Sequence, residues 1–209
     1  MNKIKNQMDN KKLLSICICT LKEREDKFNK LLKELKRQIG MSRNPEYFEI
    51  LFDAGERGVI SIGAKREKMK RIATGKYFVG LDDDDDISSN YIYLLEEGMW
   101  HNVDIITFGQ DFYQDGRFVA ATYFNRFLNK ENAESKAWGF NFNHTRKFYW
   151  AGSAYHLMAV RRELALKVPF IDANFNEDHL YSEGLKPLLQ SEFHIPHVLY
   201  KVNNVTKDH

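Results

Sequence analysis

Tyr77-Phe78-Val79-Gly80-Leu81-Asp82-Asp83-Asp84-Asp85-Asp86 is the stretch on which the rest of the sequence depends, because an apolar run leads directly into five consecutive aspartates. The apolar half follows a Thr-Gly-Lys turn signal at residues 74–76 and predicts a buried strand. Adjacent carboxylates repel one another and resist desolvation, so a strand that ends in them needs a cation nearby. Oxygen ligands of this kind suit Mg2+ or Mn2+. The alternative is an acidic loop that is simply solvated.

Length and composition indicate a folded α/β protein. The 209 residues are enough for one large domain or two small ones, and the 43% hydrophobic content allows a packed core. The net charge of +2 is too small to indicate a polyanionic partner by itself. Basic residues are nevertheless concentrated before residue 40 and between residues 65 and 76, apart from the aspartates. Separated charge of this kind suits a site that holds an anion beside a metal.

Several other classes of protein find no support in the sequence. Cys17 and Cys19 alternate in a strand-like segment, which favours buried, reduced thiols over a disulfide. No zinc-type spacing of Cys and His occurs, and no apolar run approaches the roughly 20 residues of a membrane span. Residues 1–12 are too polar for a secretory signal and are predicted to form a flexible basic lead-in. We therefore expect a cytoplasmic protein.

Strand-like and helix-like segments alternate along the first half of the chain. In order they are strand 13–20, helix 22–38, strand 47–53, helix 61–73, strand 77–81, a helix capped by Ser88 or Ser89 that runs to residue 99, and strand 103–108. This alternation is typical of an α/β fold with a mostly parallel sheet flanked by helices. Ligands of such sheets bind at the carboxyl ends of the strands. Thr20, Asp53 and Asp82 all lie at such ends, so we expect one cleft to contain them.

The second half of the chain is less regular. Residues 111–121 predict a hairpin with its turn at Gln114-Asp115-Gly116, and the aromatic, polar residues 125–149 predict a loop-rich region. The elements predicted after it are strand 154–160, helix 161–167, helix 181–190 and strand 193–200. No internal repeat or linker interrupts the chain. We therefore expect a single domain over residues 13–209.

Five short motifs follow one another between about residue 13 and about residue 202. They are Ser15-Ile16-Cys17-Ile18-Cys19-Thr20, Glu49-Ile50-Leu51-Phe52-Asp53, Gly63-Ala64-Lys65-Arg66 with Ala73-Thr74-Gly75-Lys76-Tyr77, Leu81-Asp82-Asp83-Asp84-Asp85, and Glu177-Asp178. In this order they resemble the family 2 glycosyltransferases of the GT-A, or nucleotide-diphospho-sugar transferase, fold. Cys19 departs from the family, which often has proline there; the change bears on loop shape more than on chemistry. The resemblance implies a nucleotide-sugar half at residues 13–108 and an acceptor half at residues 109–209.

The resemblance gives the acidic run a role in donor binding. Asp82 and Asp84 match the two acids of the family's DXD motif, which contact the ribose and the divalent ion on the sugar-nucleotide diphosphate. It thus implies Asp82 and Asp84 as candidate Mn2+ or Mg2+ ligands. Asp83 and Asp85 would support them, Asp83 as part of the nucleotide-sugar site. Asp86 is equally well explained as a residue at the start of the next helix.

Further positions are implied for the base and the diphosphate. Asp53 matches the acid that accepts a hydrogen bond from the base edge, although Asp-Ala-Gly is also simply a good turn sequence. Thr20 and Arg24 would line the same nucleotide pocket, unless Arg24 pairs with an acid near the start of its own helix. Arg66 lies where the family places a basic residue near the diphosphate, and Lys65 is its neighbour.

The acceptor side is implied by the second acidic pair. Asp178 matches the family's general base, which takes the proton of the acceptor hydroxyl during an inverting displacement, and Glu177 would orient it. The alternative for Asp178 is a helix N-cap. His209 could match a metal-binding histidine that many members have near the end of the core. Candidates for the acceptor surface are Trp138, Trp150, Gly152 and His156, for which ordinary packing is the competing interpretation.

The leading hypothesis is therefore a metal-dependent, inverting glycosyltransferase that uses a nucleotide-diphosphate sugar, with a UDP-sugar favoured. The segment from Trp150 to Asp178 looks like small stand-alone transferases of phage genomes, some of which modify hydroxylated bases in DNA. If the chain is phage-encoded, we expect it in the host cytoplasm. The alternatives are a transferase for glycans or proteins, a metal-dependent nucleotidyltransferase, and a non-catalytic binding module. No glycine-rich phosphate loop follows the first strand, which disfavours the nucleotidyltransferase.

Overall fold

The structure is a computed structural model that describes residues 12–126, 148–152 and 156–204. Its helices and strands are, in chain order, β1 (Leu14–Leu21), α1 (Glu25–Met41), β2 (Phe48–Gly55), α2 (Ile62–Ile72), β3 (Tyr77–Asp82), β4 (Asp86–Ile87), α3 (Tyr91–Trp100), β5 (Ile105–Gln114), β6 (Arg117–Phe124), β7 (Phe148–Gly152), β8 (Ala159–Arg161), α4 (Arg162–Ala165), α5 (Glu177–Leu185) and β9 (Glu192–Asn204). Short 3-10 helices occur at Lys22–Arg24, Pro45–Tyr47 and Lys186–Leu188.

A nine-stranded sheet organises the described residues. The strand order is β2-β1-β3-β8-β5-β6-β7, and β9 pairs with both β4 and β5. The strands β2, β1 and β3 run parallel to one another, while β8 joins β3 to β5 through antiparallel pairs. The predicted α/β class, with a mostly parallel sheet flanked by helices, is confirmed.

Strand β1 lies at the centre of the core. Residues Leu14, Ile16 and Ile18 are completely buried, because parallel neighbours lie on both sides of β1 and helices pack on the sheet. Cys17 and Cys19 are free, buried thiols, as the sequence predicts. Burying each large aliphatic side chain contributes about 1.5–3 kcal/mol, so this strand anchors the fold.

In the second half, β5 and β9 are longer than the sequence predicts, whereas β8 has only three residues and begins at Ala159, so the predicted strand 154–160 is wrong in its start. Strand β5 joins the predicted strand 103–108 to the first arm of the predicted hairpin, and β6 forms the second arm. At the turn, Asp115 and Gly116 both have positive φ angles, 49° and 75°, which suits a two-residue hairpin loop. Strand β9 continues to Asn204, four residues beyond its predicted end at residue 200, because β4 and β5 both offer it hydrogen-bonding partners.

The predicted starts of α3 and α5 are wrong, and so is the interpretation of Asp86 as a residue of a helix start. Helix α3 begins at Tyr91 after Asn90, so neither Ser88 nor Ser89 is its cap. Asp86 belongs to β4, where it pairs with Lys201 of β9, and is not a residue of a helix start.

Helix α5 begins at Glu177, four residues before the predicted start at residue 181. The chain turns into it through Asn176, whose φ angle is 67°. Asp178 is therefore in the first turn of the helix and is not its N-cap, so that alternative is wrong. Among the described residues, no helix has the length and apolar character needed to cross a membrane.

Candidate functional site

The carboxyl ends of β1, β2 and β3 bring the predicted donor-site residues to one edge of the sheet. In the strand register, Cys19 of β1 lies between Asp53 of β2 and Asp82 of β3. Asp53 and Asp82 are therefore two strand spacings apart, about 10 Å. Thr20 follows Cys19 in the same strand. The structure thus places Thr20, Asp53 and Asp82 together, as the order of elements predicts.

Two aspartates of the acidic run point into the protein. Asp83 is buried and accepts hydrogen bonds from the Thr20 hydroxyl at 2.7 Å and from Arg24 Nη1 at 2.9 Å. Asp85 is also buried and accepts from the backbone N–H of Asn203 in β9 at 2.9 Å. These contacts fasten the turn after β3 to the start of α1 and to β9.

The other aspartates after β3 are more open. Asp84 keeps 26% of its side chain exposed and lies 3.0 Å from Arg24 Nη1 and 3.9 Å from Lys27 Nζ. Asp86 pairs with Lys30 at 2.6 Å. Arg24 therefore supplies part of the positive charge that the acidic run requires. The expectation that Arg24 might pair with an acid of its own helix start is wrong, because the fold turns its guanidinium toward the aspartates.

Arg66 is the buried centre of the site. Its side chain is 3% exposed and donates through Nη2 to Asp82 Oδ1 at 2.7 Å and through Nη1 to Glu177 Oε1. Nη2 also lies 2.9 Å from His156 Nε2. Burial alone would lower the pKa of Arg66, but Asp82, Cys19 and Glu177 raise it above its usual value. Burial would likewise raise the pKa of Asp82, but the charge of Arg66 holds it below its usual range.

Helix α2 aims its basic residues at this edge of the sheet. Ser61 caps the helix by accepting from the N–H of Ala64 at 3.0 Å, which fixes the start of the helical turn. Lys65 is 3% exposed, and its ammonium donates to the Thr20 carbonyl at 2.8 Å. Asp53 pairs with the exposed Lys68 at 2.7 Å. Cations therefore lie on both the buried and the open side of the predicted nucleotide pocket.

The second acidic pair divides into a buried and an open carboxylate. Glu177 is 4% exposed and is held by Arg66. The side chain of Asp178 is 36% exposed, accepts from the N–H of His179 at 2.7 Å, and has Oδ2 4.0 Å from His156 Nδ1. Of the two, Asp178 is the one that a solvent-borne acceptor can reach, and Glu177 is engaged in holding the site together.

Some of the predicted residues lie outside what the structure describes. Trp138 and His209 are among them. For Trp150 and Gly152 the structure describes the backbone of β7, in which they pair with Thr122 and Phe124 of β6. Among the predicted catalytic and acceptor-side residues, the structure therefore describes the side chains of His156, Glu177 and Asp178.

No protein-family model and no curated protein matches the sequence. S. aureus TarS 1–349 in complex with UDP-GlcNAc matches the structure with a TM-score of 0.64 at 14% identity, over 94% of this chain and 60% of that one. The complex of TarS 1–349 with UDP gives 0.61 at 15% identity, over 91% and 60%.

The chain has a GT-A-like glycosyltransferase fold. It spans about 60% of the length of the TarS 1–349 chain that it matches. At this level of identity the likeness concerns the architecture, and the chemistry has to be argued from the residues of this chain.

A divalent metal would find its ligands in the acidic run of the GT-A-like fold. Among residues 12–126, 148–152 and 156–204, no group of three or more His, Cys, Asp or Glu side chains is arranged to hold a metal ion. Mg2+ commonly binds to one or two carboxylates and takes its other ligands from substrate phosphates and water. Asp84, which is partly exposed and follows Asp82 by two residues in the turn after β3, fits a site of this kind.

Two residues near the site carry no signal in the sequence. The Tyr200 hydroxyl of β9 accepts from the backbone N–H of Asp82 at 3.1 Å, so β9 supports the end of β3 directly. Phe175 is 87% exposed and lies three residues before Asp178. Nothing in the sequence distinguishes Tyr200 from other tyrosines of strands, and only the folded chain brings it to Asp82. Nothing distinguishes Phe175 from other apolar loop residues, and its exposure is seen only in the structure.

Proposed function

We propose that this chain is a glycosyltransferase that moves a sugar from a nucleotide-diphosphate donor to an acceptor hydroxyl. The observation that carries the proposal is the buried Arg66, which holds Asp82 of the acidic run and Glu177 of the second acidic pair together, while their chain neighbours Asp84 and Asp178 keep part of their carboxylates exposed. In such an arrangement a metal ion held by Asp84 would bind the diphosphate, and the carboxylate of Asp178 would take the proton of the acceptor hydroxyl. The GT-A-like fold also supports a nucleotide-sugar donor, since TarS 1–349, which has a similar fold, binds UDP-GlcNAc and UDP.

The nucleotide would lie across the ends of β1 and β2. Asp53 is placed to accept a hydrogen bond from a base N–H once Lys68, which is 63% exposed, moves aside. Exposed ion pairs contribute little free energy, so this exchange costs little. Arg24 and Lys65 bring positive charge toward the diphosphate. A UDP-sugar is the donor that the likeness to TarS favours.

Departure of the nucleoside diphosphate requires that the charge developing on its oxygens be neutralised. Mn2+ or Mg2+ held by Asp84, with Asp82 as a second carboxylate, would supply Lewis-acid stabilisation of that charge. Arg24, 3.0 Å from Asp84, adds a fixed positive charge at the same place. Arg66 keeps Asp82 ionised.

Asp178 takes the proton of the acceptor hydroxyl as the oxygen attacks the anomeric carbon. Attack from the side opposite the diphosphate inverts the anomeric configuration, because bond formation and bond breaking occur on opposite faces of the carbon. Its partial exposure allows the acceptor to approach, and Glu177 stays fixed to Arg66 beneath it. A positioned general base of this kind typically contributes about 10²–10⁴-fold to the rate.

The surface beside Asp178 supports an uncharged acceptor. Residues 171–180 contain no Lys or Arg, and their accessible acids are Asp172 and Asp178, since Glu177 is buried. A nucleic acid would meet these carboxylates with its phosphates, whereas a glycan hydroxyl would not. The hydroxylated bases of phage DNA are therefore the second class to test, after glycans.

The test is the release of nucleoside diphosphate from a panel of UDP-, GDP- and CDP-sugars with Mn2+, with glycans and hydroxymethylated DNA as acceptors. We expect turnover with a UDP-sugar, its loss in EDTA, and a fall of about 10²–10⁴-fold in kcat for Asp178→Asn. Asp84→Asn should also lower turnover and raise the Mn2+ concentration required. Asp26→Asn, an exposed aspartate of α1, is the matched control and should behave as wild type.

Distinct results would overturn the proposal. Turnover that survives both Asp84→Asn and Asp178→Asn would reject the assigned site. Release of pyrophosphate with nucleotidyl transfer would identify the nucleotidyltransferase alternative. Binding of UDP without turnover of any sugar nucleotide would instead identify a binding module.

A further inference from the structure

His156 lies between Asp82, on the proposed donor side, and Asp178, the proposed base. Its side chain is 4% exposed, with Nε2 3.4 Å from Asp82 Oδ2 and Nδ1 4.0 Å from Asp178 Oδ2. Nε2 of the imidazole therefore points toward the proposed donor side of the site, and Nδ1 points toward the proposed acceptor side. The orientation of the ring therefore affects the surroundings of both Asp82 and Asp178.

The neighbours of His156 decide which ring nitrogen carries the proton. Arg66 Nη2 lies 2.9 Å from His156 Nε2, and a guanidinium can only donate hydrogen bonds. His156 Nε2 must therefore accept, which leaves the proton of the neutral ring on Nδ1. The contact at 3.4 Å to Asp82 Oδ2 is longer than that to Arg66 and is not needed as a hydrogen bond.

The ring is held in this orientation by strand β3. The N–H of Gly80 donates to the His156 carbonyl at 2.8 Å. A Cβ atom at residue 80 would lie 3.3 Å from His156 Cδ2 and 3.4 Å from the carbonyl oxygen, so the imidazole occupies space that any other residue would crowd. Gly80 and Arg66 thus fix the ring from two sides.

We propose that His156 is a positioning residue for Asp178. Its Nδ1 lies 4.0 Å from Asp178 Oδ2, which is longer than a hydrogen bond, and we expect the Nδ1 proton to bind and orient that carboxylate when the substrates are bound. This inference rests on the proposed function, in which Asp178 is the base. In the structure, Asp178 Oδ1 accepts from the N–H of His179 and Oδ2 faces His156. Each carboxylate oxygen has a further lone pair, so the acceptor hydroxyl can still deliver its proton to Asp178. His156 itself touches neither substrate.

The two amide isosteres of histidine separate this role from simple packing. Asn places its N–H2 near the position of Nδ1, and Gln places it near that of Nε2. We expect His156→Asn to retain kcat within a few-fold and His156→Gln to lose about tenfold or more, as for loss of one hydrogen bond to a charged group. The KM for the donor should stay within about twofold in both. His197→Asn, an exposed histidine of β9, is the control.

A double-mutant cycle with Gly80→Ala tests whether Gly80 affects catalysis through its contact with the His156 ring. Gly80→Ala should lower kcat in the wild-type background and have little further effect in the His156→Ala background, because both changes act on the same contact. Equal and additive effects in the two backgrounds would overturn the assignment, as would a His156→Gln variant as active as His156→Asn.

The tautomer can be measured without any substrate. In protein labelled with ¹⁵N-histidine, the His156 signals, identified among the seven histidines by their loss in His156→Asn, should report a protonated Nδ1 and an unprotonated Nε2. A protonated Nε2 in the neutral ring would overturn the inference. Wild-type protein that turns over no sugar nucleotide would remove the proposed function and the positioning role together. Active wild type with equal amide variants would remove the positioning role alone.

Discussion

Asp85 has a raised pKa, and burial is the largest cause of the rise. Burial, together with the charges of Asp82 and Asp84, raises the pKa of Asp85 to about 7, although Asn203 and Tyr200 donate hydrogen bonds that oppose the rise. An aspartate in the unfolded chain has a pKa of about 3.9. Between these values the folded protein holds a proton that the unfolded chain has lost. The stability contributed by protonated Asp85 is therefore present at low pH and is lost as the pH rises from about 4 toward about 7.

Asp85→Asn is expected to remove this pH dependence. The amide has the shape of the protonated acid and carries no charge at any of these pH values. The variant should match wild type near pH 4 and exceed it at pH 8 by up to about 4 kcal/mol in the free energy of unfolding. Urea denaturation in EDTA from pH 4 to pH 8 measures the difference, with Asp26→Asn as the control. A difference that does not grow with pH would contradict the assignment.

At the scale of elements, the contact between α2 and the segment before α5 decides whether the site is assembled. Gly63 donates its N–H to the carbonyl of Ala173 at 3.0 Å, and Ser61 donates its hydroxyl to Asp172 Oδ1 at 2.5 Å. Helix α2 carries Arg66, and the segment leads into Glu177. The backbone contact therefore sets the distance between the two halves of the buried ion pair.

Gly63→Ala is expected to break this contact. A Cβ at residue 63 would lie 1.9 Å from the carbonyl oxygen of Ile171, so backbone must move. We expect a loss of about 1–3 kcal/mol in the free energy of unfolding, as for overpacking, and a fall in kcat as Glu177 shifts. Gly40→Ala is the matched control, since no atom lies within 4 Å of its added Cβ in α1. That variant should be more stable by about 0.5–1 kcal/mol.

Urea denaturation and turnover, measured on both variants, separate the effect on stability from the effect on catalysis. If Gly63→Ala is as stable and as active as Gly40→Ala, the contact between α2 and the segment before α5 does not hold the site.

At the scale of the whole molecule, a ligand that binds the folded chain alone must stabilise it. UDP with Mn2+ at about 100 times its dissociation constant should add about 2.7 kcal/mol to the free energy of unfolding. For a chain of about 200 residues, each kcal/mol raises Tm by about 2–4 °C. We expect a larger rise with UDP than with GDP or CDP, and a smaller one for UDP with Asp84→Asn. Equal shifts for all three nucleotides, measured by thermal denaturation, would contradict the proposed base site at Asp53.

Much of the fold of residues 13–108 could be predicted from the sequence because its signals are local. The apolar runs around Ile16 and Val79 are long enough to indicate strands buried on both faces, and the carboxyl ends of parallel strands necessarily meet at one edge. Asp53 and Asp82 were therefore placed correctly as neighbours across β1. The hairpin at Asp115-Gly116 was predicted for the same reason, since its turn chemistry is confined to a few residues.

The partners within the site could not be predicted, because they are far apart along the chain. Arg66 contacts Glu177 across 111 positions and His156 across 90. No periodicity relates residues at such distances; their contact depends on how α2 and α5 pack. The start of α5 was missed because Asn176 adopts a positive φ angle, a choice that tertiary contacts make for a non-glycine residue.

The sequence by itself determined the strands, the helices and the edge at which the acidic residues gather, because hydrophobic spacing and turn residues act over short stretches of chain. Tertiary structure alone decided what each acid does there. It buried Asp83 and Asp85, left Asp84 and Asp178 accessible, and joined Asp82, His156 and Glu177 through Arg66. Five identical side chains in a row have the same intrinsic chemistry, and only their different burial and partners in the folded chain give them different charge states and different functions.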